Sequence, residues 1–187
     1  MTDDVLSQLL DFVQNRRFGK YRGTVVDNED PQGRGRIKLQ VPAVLGELEV
    51  WAMPCVPFAG DKVGFFSPPN PGDGVWVEFE GGDLSHPIWT GCFWADGELP
   101  QSSGSNDRVW STGEVTLRLI EGEEPQLALE IEGGATLRLV ASEIDADAGG
   151  SVLHVEGAQV TVEANSGGKV EVGSSKTTVN DGALEVV

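Results

Sequence analysis

After Trp110 the chain contains no Phe, Tyr or Trp, yet it keeps alternating aliphatic with polar residues almost to its end. The pattern recurs in Val115-Thr116-Leu117-Arg118-Leu119, Leu127-Ala128-Leu129-Glu130-Ile131, Thr136-Leu137-Arg138-Leu139, Leu153-His154-Val155, Val160-Thr161-Val162, Val170-Glu171-Val172 and Leu184-Glu185-Val186. A period of two is that of a half-buried strand. Gly-containing turns or short polar stretches separate many of these segments, at an irregular spacing of roughly ten residues. Each strand offers one narrow aliphatic face. At about 25 cal/mol per Å² of apolar area, a lone sheet of such strands hides too little surface to offset chain entropy. Two arrangements solve this. One is a single-chain solenoid coiled with a regular period. The other, preferred here, is an intertwined trimeric β-helix in which three chains wind about one axis. The inward positions are then Leu117, Leu119, Leu127, Leu129, Ile131, Leu137, Leu139, Val160, Val162, Val170 and Val172.

The outward face of such a stem carries the acids. Residues 111–187 hold 14 acidic and 4 basic side chains, a net of −10. That keeps a long thin body soluble and disfavours side-to-side association. The whole chain carries −17, a balance that repels nucleic acid unless a basic patch overrides it.

The front half has a different character. Residues 1–17 form a helical segment, with Val5, Leu9, Leu10, Phe12 and Val13 at helical spacing, Asp3 and Asp4 at its start, and Arg16 and Arg17 at its end. A helix this short must pack its apolar stripe on something, either its own barrel or a partner. Residues 18–95 alternate strands with turns. Tyr21 to Asp27, Gly35 to Val41, Glu49 to Met53, Val75 to Glu80 and Pro87 to Trp94 read as strands, separated by clusters such as Asn28-Glu29-Asp30-Pro31-Gln32-Gly33 and Pro68-Pro69-Asn70-Pro71-Gly72-Asp73-Gly74. About five strands in so short a span suit a small closed barrel, because closure removes exposed edges. Residues 96–110 read as a linker and residues 111–187 as the stem. The fold class is therefore all-β, with a short N-terminal helix.

Chemistry-bearing motifs are scarce. His86 precedes Pro87 in a turn and reads as a surface or turn-bonded residue. His154 lies between two inward aliphatics and faces out. No nucleophile motif accompanies the Ser, His and Asp residues, and no Asp-X-Asp-X-Asp-Gly loop is present for calcium. Gly33-Arg34-Gly35-Arg36 lacks the Lys-Ser/Thr ending of a phosphate loop and reads as a turn into a strand. Trp51, Trp76, Trp89 and Trp94 read as core or interface anchors. Cys55 and Cys92 are expected to be reduced and buried. Met1-Thr2-Asp3-Asp4 is acidic where a secretory leader is basic, and no apolar run approaches about 18 residues. Synthesis and assembly in the cytoplasm are expected. No catalytic residue, cofactor or metal is assigned, and the chain is not expected to be an enzyme.

Five motifs in order carry a family resemblance: Tyr21-Arg22-Gly23-Thr24-Val25-Val26, Gly33-Arg34-Gly35-Arg36-Ile37-Lys38-Leu39-Gln40-Val41-Pro42, Trp51-Ala52-Met53-Pro54, Gly72-Asp73-Gly74-Val75-Trp76-Val77-Glu78-Phe79 and Pro87-Ile88-Trp89-Thr90-Gly91. Residues 18–95 resemble the N-terminal barrel of phage baseplate assembly protein V, the tail-spike hub proteins of contractile phages and the valine-glycine-repeat spike proteins of type VI secretion. The resemblance implies an oligosaccharide/oligonucleotide-binding (OB) fold used for protein docking, followed by a trimeric β-helix. It implies a structural spike in a phage-tail-like particle, with hub or baseplate proteins and the inner tube above the barrel and only transient contact with the target membrane. The stretch 96–110 is too short for the lysozyme domain of some members. Asn180 to Val187 lacks the His-X-His of iron-binding tips, so a blunt end that accepts a separate conical tip protein is expected. The alternative is an OB-fold module that binds glycan or nucleic acid, with the β-helix as a spacer.

Overall fold

The computed structural model describes residues 2–100, 104–181 and 183–186. It divides the chain into two compact units, Met1–Leu99 and Pro100–Val187. Residues 101–103 of the expected linker, and Gly182 and Val187 of the expected blunt end, lie outside the described residues.

The first unit opens with helix α1, Thr2–Gln14. It stops three residues short of the expected range. Arg17 has left the helix, and its backbone N–H donates to the Gly82 carbonyl at 2.9 Å. Gly19 then turns the chain at φ +93°. The side chains of Val5, Leu6, Leu9, Leu10, Phe12 and Val13 are all exposed, so the barrel does not cover the apolar stripe.

Five strands close the barrel: β1 Tyr21–Asp27, β2 Ile37–Gln40, β3 Glu49–Pro54, and, further along, β6 Gly74–Phe79 and β7 Pro87–Cys92. Their order around the barrel is β1-β2-β3-β7-β6. All pairs are antiparallel except β3 with β7, which is parallel through Met53↔Ile88 and Pro54↔Trp89. A short helix α2, Pro42–Leu45, follows β2, where Pro42 sits in the first turn and needs no N–H partner. Two-residue strands β4 Ala59–Gly60 and β5 Val63–Gly64 form a small hairpin.

Strict alternation explains the core. In β6, Val75, Val77 and Phe79 point inward while Trp76 and Glu78 do not, and β2 buries Ile37 and Leu39 in the same way. With Val25, Val41, Ala52 and Trp89 these residues form one apolar cluster. The four tryptophans expected as anchors divide. Trp89 is in this core, Trp51 lies under the Arg36 guanidinium, Trp76 packs against Phe93 and Trp94 is exposed. Both cysteines are free thiols, but both are exposed and not buried as expected. Cys92 is the last residue of β7 and Cys55 lies just past β3, so each falls where its strand leaves the barrel.

The second unit is one sheet of ten strands in chain order: β8 Asp107–Ser111, β9 Val115–Ile120, β10 Gln126–Ile131, β11 Thr136–Val140, β12 Glu143–Ala148, β13 Ser151–Glu156, β14 Gln159–Glu163, β15 Lys169–Val172, β16 Thr177–Val179 and β17 Leu184–Val186. Every neighbouring pair is antiparallel. One expectation changes here: residues 107–110, assigned to the linker, belong to β8. The ladder hydrogen bonds described run between consecutive strands of the one chain. Tight turns explain this: Gly133, Gly149, Gly150, Gly157 and Gly167 adopt positive φ, which lets each strand fold straight back on the one before.

Candidate assembly interface

Antiparallel pairing sets which side chains share a face. Leu129 stands opposite Leu117 on β9 and Leu137 on β11, and Leu127 stands opposite Leu119 and Leu139. Further along, Val160 pairs with Val172 and Val162 with Val170. All eleven residues expected to point inward therefore lie on one face of the sheet. Their partners in register extend the face. Ile144 meets Leu139, Ala146 lies between Leu137 and Leu153, Val155 meets Val160, and Val179 links Val170 to Leu184. Two rows thus cross the sheet from β9, one apolar as far as β17 and the other as far as Val172 on β15, where Thr177 interrupts it.

Within one chain this face is uncovered. Leu119, Leu129, Ile131, Val162, Val170 and Val172 are exposed; Leu117, Leu127, Leu137, Leu139 and Val160 are half-buried. Where Ala146 and Ala148 replace the longer aliphatics the surface dips. Leu129, Ile131, Leu137, Leu153 and Val162 ring an apolar hollow of about 640 Å³ there. A sheet with one bare apolar face is not a finished structure, because stable architectures bury such a face against a second layer. A contiguous patch of this kind marks an interaction surface.

The opposite face is mainly polar and acidic, with its few cations held by acids. Arg138 donates to both Glu143 and Asp145, and His154 Nδ1 bonds Asp145. His154 faces this side, as its place between Leu153 and Val155 predicts. The hydrogen bond from His154, helped by the Arg138 guanidinium, holds the Asp145 carboxyl down to about 2. The reciprocal bond to Asp145 raises the His154 pKa. Ligand atoms of Glu143, Asp145 and His154 lie within 4.8 Å of one another, but Arg138 already compensates both carboxylates. Asp107, almost fully enclosed, pairs with Arg118 at 3.2 Å. Between Arg118 and Arg138 in register lies Ala128, the one buried hydrophobic residue of this unit among the described residues.

On the barrel, the turn from β1 to β2 is organised by one carboxylate. Asp30 accepts backbone N–H bonds from Gln32, Arg34 and Arg36, and the Arg36 guanidinium bonds it at 2.7 Å. Gly33 and Gly35, at φ +63° and +71°, supply the left-handed residues the turn requires. The Gly33-Arg34-Gly35-Arg36 motif is thus a turn into a strand. His86 is exposed in its turn, with Nδ1 3.1 Å from Ser85 Oγ.

Residues 21–94, the segment that makes the closed five-stranded barrel, match the type VI secretion system/phage-baseplate injector OB domain. Over those residues the barrel is similar to that family. No curated protein matches the chain. The closed topology of the barrel accounts for the five motifs: each is a strand or the turn that sets its register. Gly23 is an example. A Cβ there would lie 2.9 Å from the Gln40 carbonyl oxygen and 3.0 Å from Val77, so β1 can approach β2 and β6 only without a side chain.

Proposed function

We propose that the chain is the central spike of a contractile injection machine, a phage tail or a related particle, with residues 111–187 as a homotrimeric stem. The uncovered apolar face of the ten-stranded sheet carries the reading. Three such sheets, each forming one wall of a prism, bury their aliphatic rows against each other around a common axis. The mainly polar, acidic faces then point to solvent. This keeps the inward assignment of Leu117 to Val172 and replaces cross-chain ladder bonds with ladders inside each wall. Stiffness comes from those continuous ladders and from the aliphatic rows packed against one another.

The likeness of the barrel to the injector OB domain supports a baseplate setting for this stem. The exposed apolar stripe of α1 suits a hub protein, and the inner tube lies above the barrel. The stem end is a platform for a conical tip protein. Sheath contraction supplies the work, and the spike concentrates force on a small area of the target envelope. The chain contributes shape and rigidity and catalyses nothing.

The deciding experiment is the mass of the full chain in solution, by sedimentation equilibrium or light scattering. Three chains per particle across a micromolar dilution series support the spike. A well-folded single chain at the same concentrations overturns it.

A further inference from the structure

A cleft of about 490 Å³ opens on the barrel between the β4–β5 hairpin and the turn that holds Gly33 and Gly35. Its apolar wall includes Pro54, Val63 and Phe66, the last 74% exposed. The indole of Trp89 also lines it. That residue is only 7% exposed, yet its Nε1 finds no hydrogen-bond partner among the described residues. An indole N–H is a donor only, and buried donors are almost always paired. Two cations complete the lining. Lys62 has no carboxylate within reach among the described residues, and Arg34 donates only to the Gln32 side chain there. Their neighbours differ: Lys20, Arg36 and Lys38 each hold an acid. Lys62, at φ +60°, is held in place by the tight two-residue turn between β4 and β5.

We infer that this cleft binds an extended acidic peptide segment of a baseplate partner, one that carries an apolar side chain between its acids. The peptide lies over the indole of Trp89, its apolar side chain lies along Val63 and Phe66, and its carboxylates meet Arg34 and Lys62. Two cations match a pair of carboxylates; a nucleic-acid backbone, with a phosphate at every step, needs a longer basic track than this chain of net charge −17 offers. The inference deepens the spike reading by naming the chemistry of a barrel partner. It does not depend on the number of chains, so its failure and the failure of the trimer are separate results.

The test uses the full chain with ¹⁵N-labelled tryptophan, which has five indole N–H groups to resolve. The probe is the blocked synthetic peptide acetyl-Glu-Leu-Asp-Phe-Glu-amide. Its counterpart has lysine in place of each acid. The Trp89 resonance is identified by its loss in Trp89→Phe. Saturable movement of that resonance with the acidic peptide, absent with the lysine peptide, is the expected result. The double variant Arg34→Glu, Lys62→Glu, whose side chains lie outside the core, should weaken binding at least about tenfold. No movement at millimolar acidic peptide, equal movement with the lysine peptide, or unchanged affinity in the double variant each overturns the inference. The double variant keeps the test decisive if Trp89→Phe does not fold.

Discussion

Asp30 and Arg36 meet at 2.7 Å across the turn between β1 and β2, and the carboxylate that receives the guanidinium also receives three backbone N–H groups of the same turn. One side chain thus holds both the left-handed glycines and the entry into β2. The guanidinium in turn lies 5.2 Å from the centre of the Trp51 ring on β3. A single acid therefore links three strands of the barrel.

The Arg36 bond, helped by those N–H groups, holds the Asp30 carboxyl well below the usual carboxylate range. A depressed folded value means that the stabilisation is present above the unfolded value of about 3.9 and is lost as pH falls through the folded one. Asp30→Ala should lower the barrel's melting temperature by several degrees at pH 5–8. The gap between variant and wild type should close as pH falls below about 4. Calorimetry across that range checks it. A gap that persists unchanged in strong acid would show that the ion pair is not its source.

Gly23→Ala should destabilise the barrel by about 1–3 kcal/mol, the usual cost of forcing an extra carbon into packed structure. The obstacle is the Gln40 carbonyl in the backbone of β2, which cannot swing aside. Gly33→Ala is the contrast: nothing lies within 4 Å of the added carbon, so only the left-handed φ penalises it. Urea denaturation of both variants separates crowding from backbone strain; equal losses would argue against the close approach of β1 to β2.

His154 tests the polar face. Its pKa is raised by Asp145, so its contribution is complete below the unfolded value of about 6.5 and disappears as pH rises through the folded one. Stem stability should decline as pH climbs above about 6.5, and His154→Gln should remove that slope. An imidazole titration by NMR gives the folded value directly. A midpoint at or below the ordinary histidine value would refute the Asp145 bond.

The barrel was legible because its strands are marked twice, by alternation and by Gly- or Pro-bearing turns, as in Gly72 to Phe79. The aliphatic face of the sheet was legible for the same reason wherever Leu, Ile or Val fills the alternate slot. Strand β12 was not, because Glu143-Ile144-Asp145-Ala146-Asp147-Ala148 alternates perfectly but puts alanine in two of its three apolar slots. Strand β8 was hidden because Asp107 looks like linker until Arg118, on the next strand, encloses it. Whether ladders run within or between chains is invisible to alternation, since both arrangements place the same side chains on the same face. The cleft at Trp89 could not be seen either, because Arg34 and Lys62 come to line one cleft only in the folded barrel.

Leu129 decides the stem. In the single chain it is 41% exposed, so an acid at that position disturbs little of what one chain alone buries. In a three-walled prism, Leu129→Asp places three carboxylates near the axis without partners, a cost well beyond the roughly 2–5 kcal/mol of truncating a buried leucine to alanine. The variant should run as one chain where the parent runs as three, while the barrel's own melting transition stays where it was. Glu130→Ala, the next residue along β10 and on the opposite face, should leave the mass at three chains. A Leu129→Asp protein that still assembles as a stable trimer would mean that the aliphatic rows do not face the axis, and the prism would have to be rebuilt on the other face of the sheet.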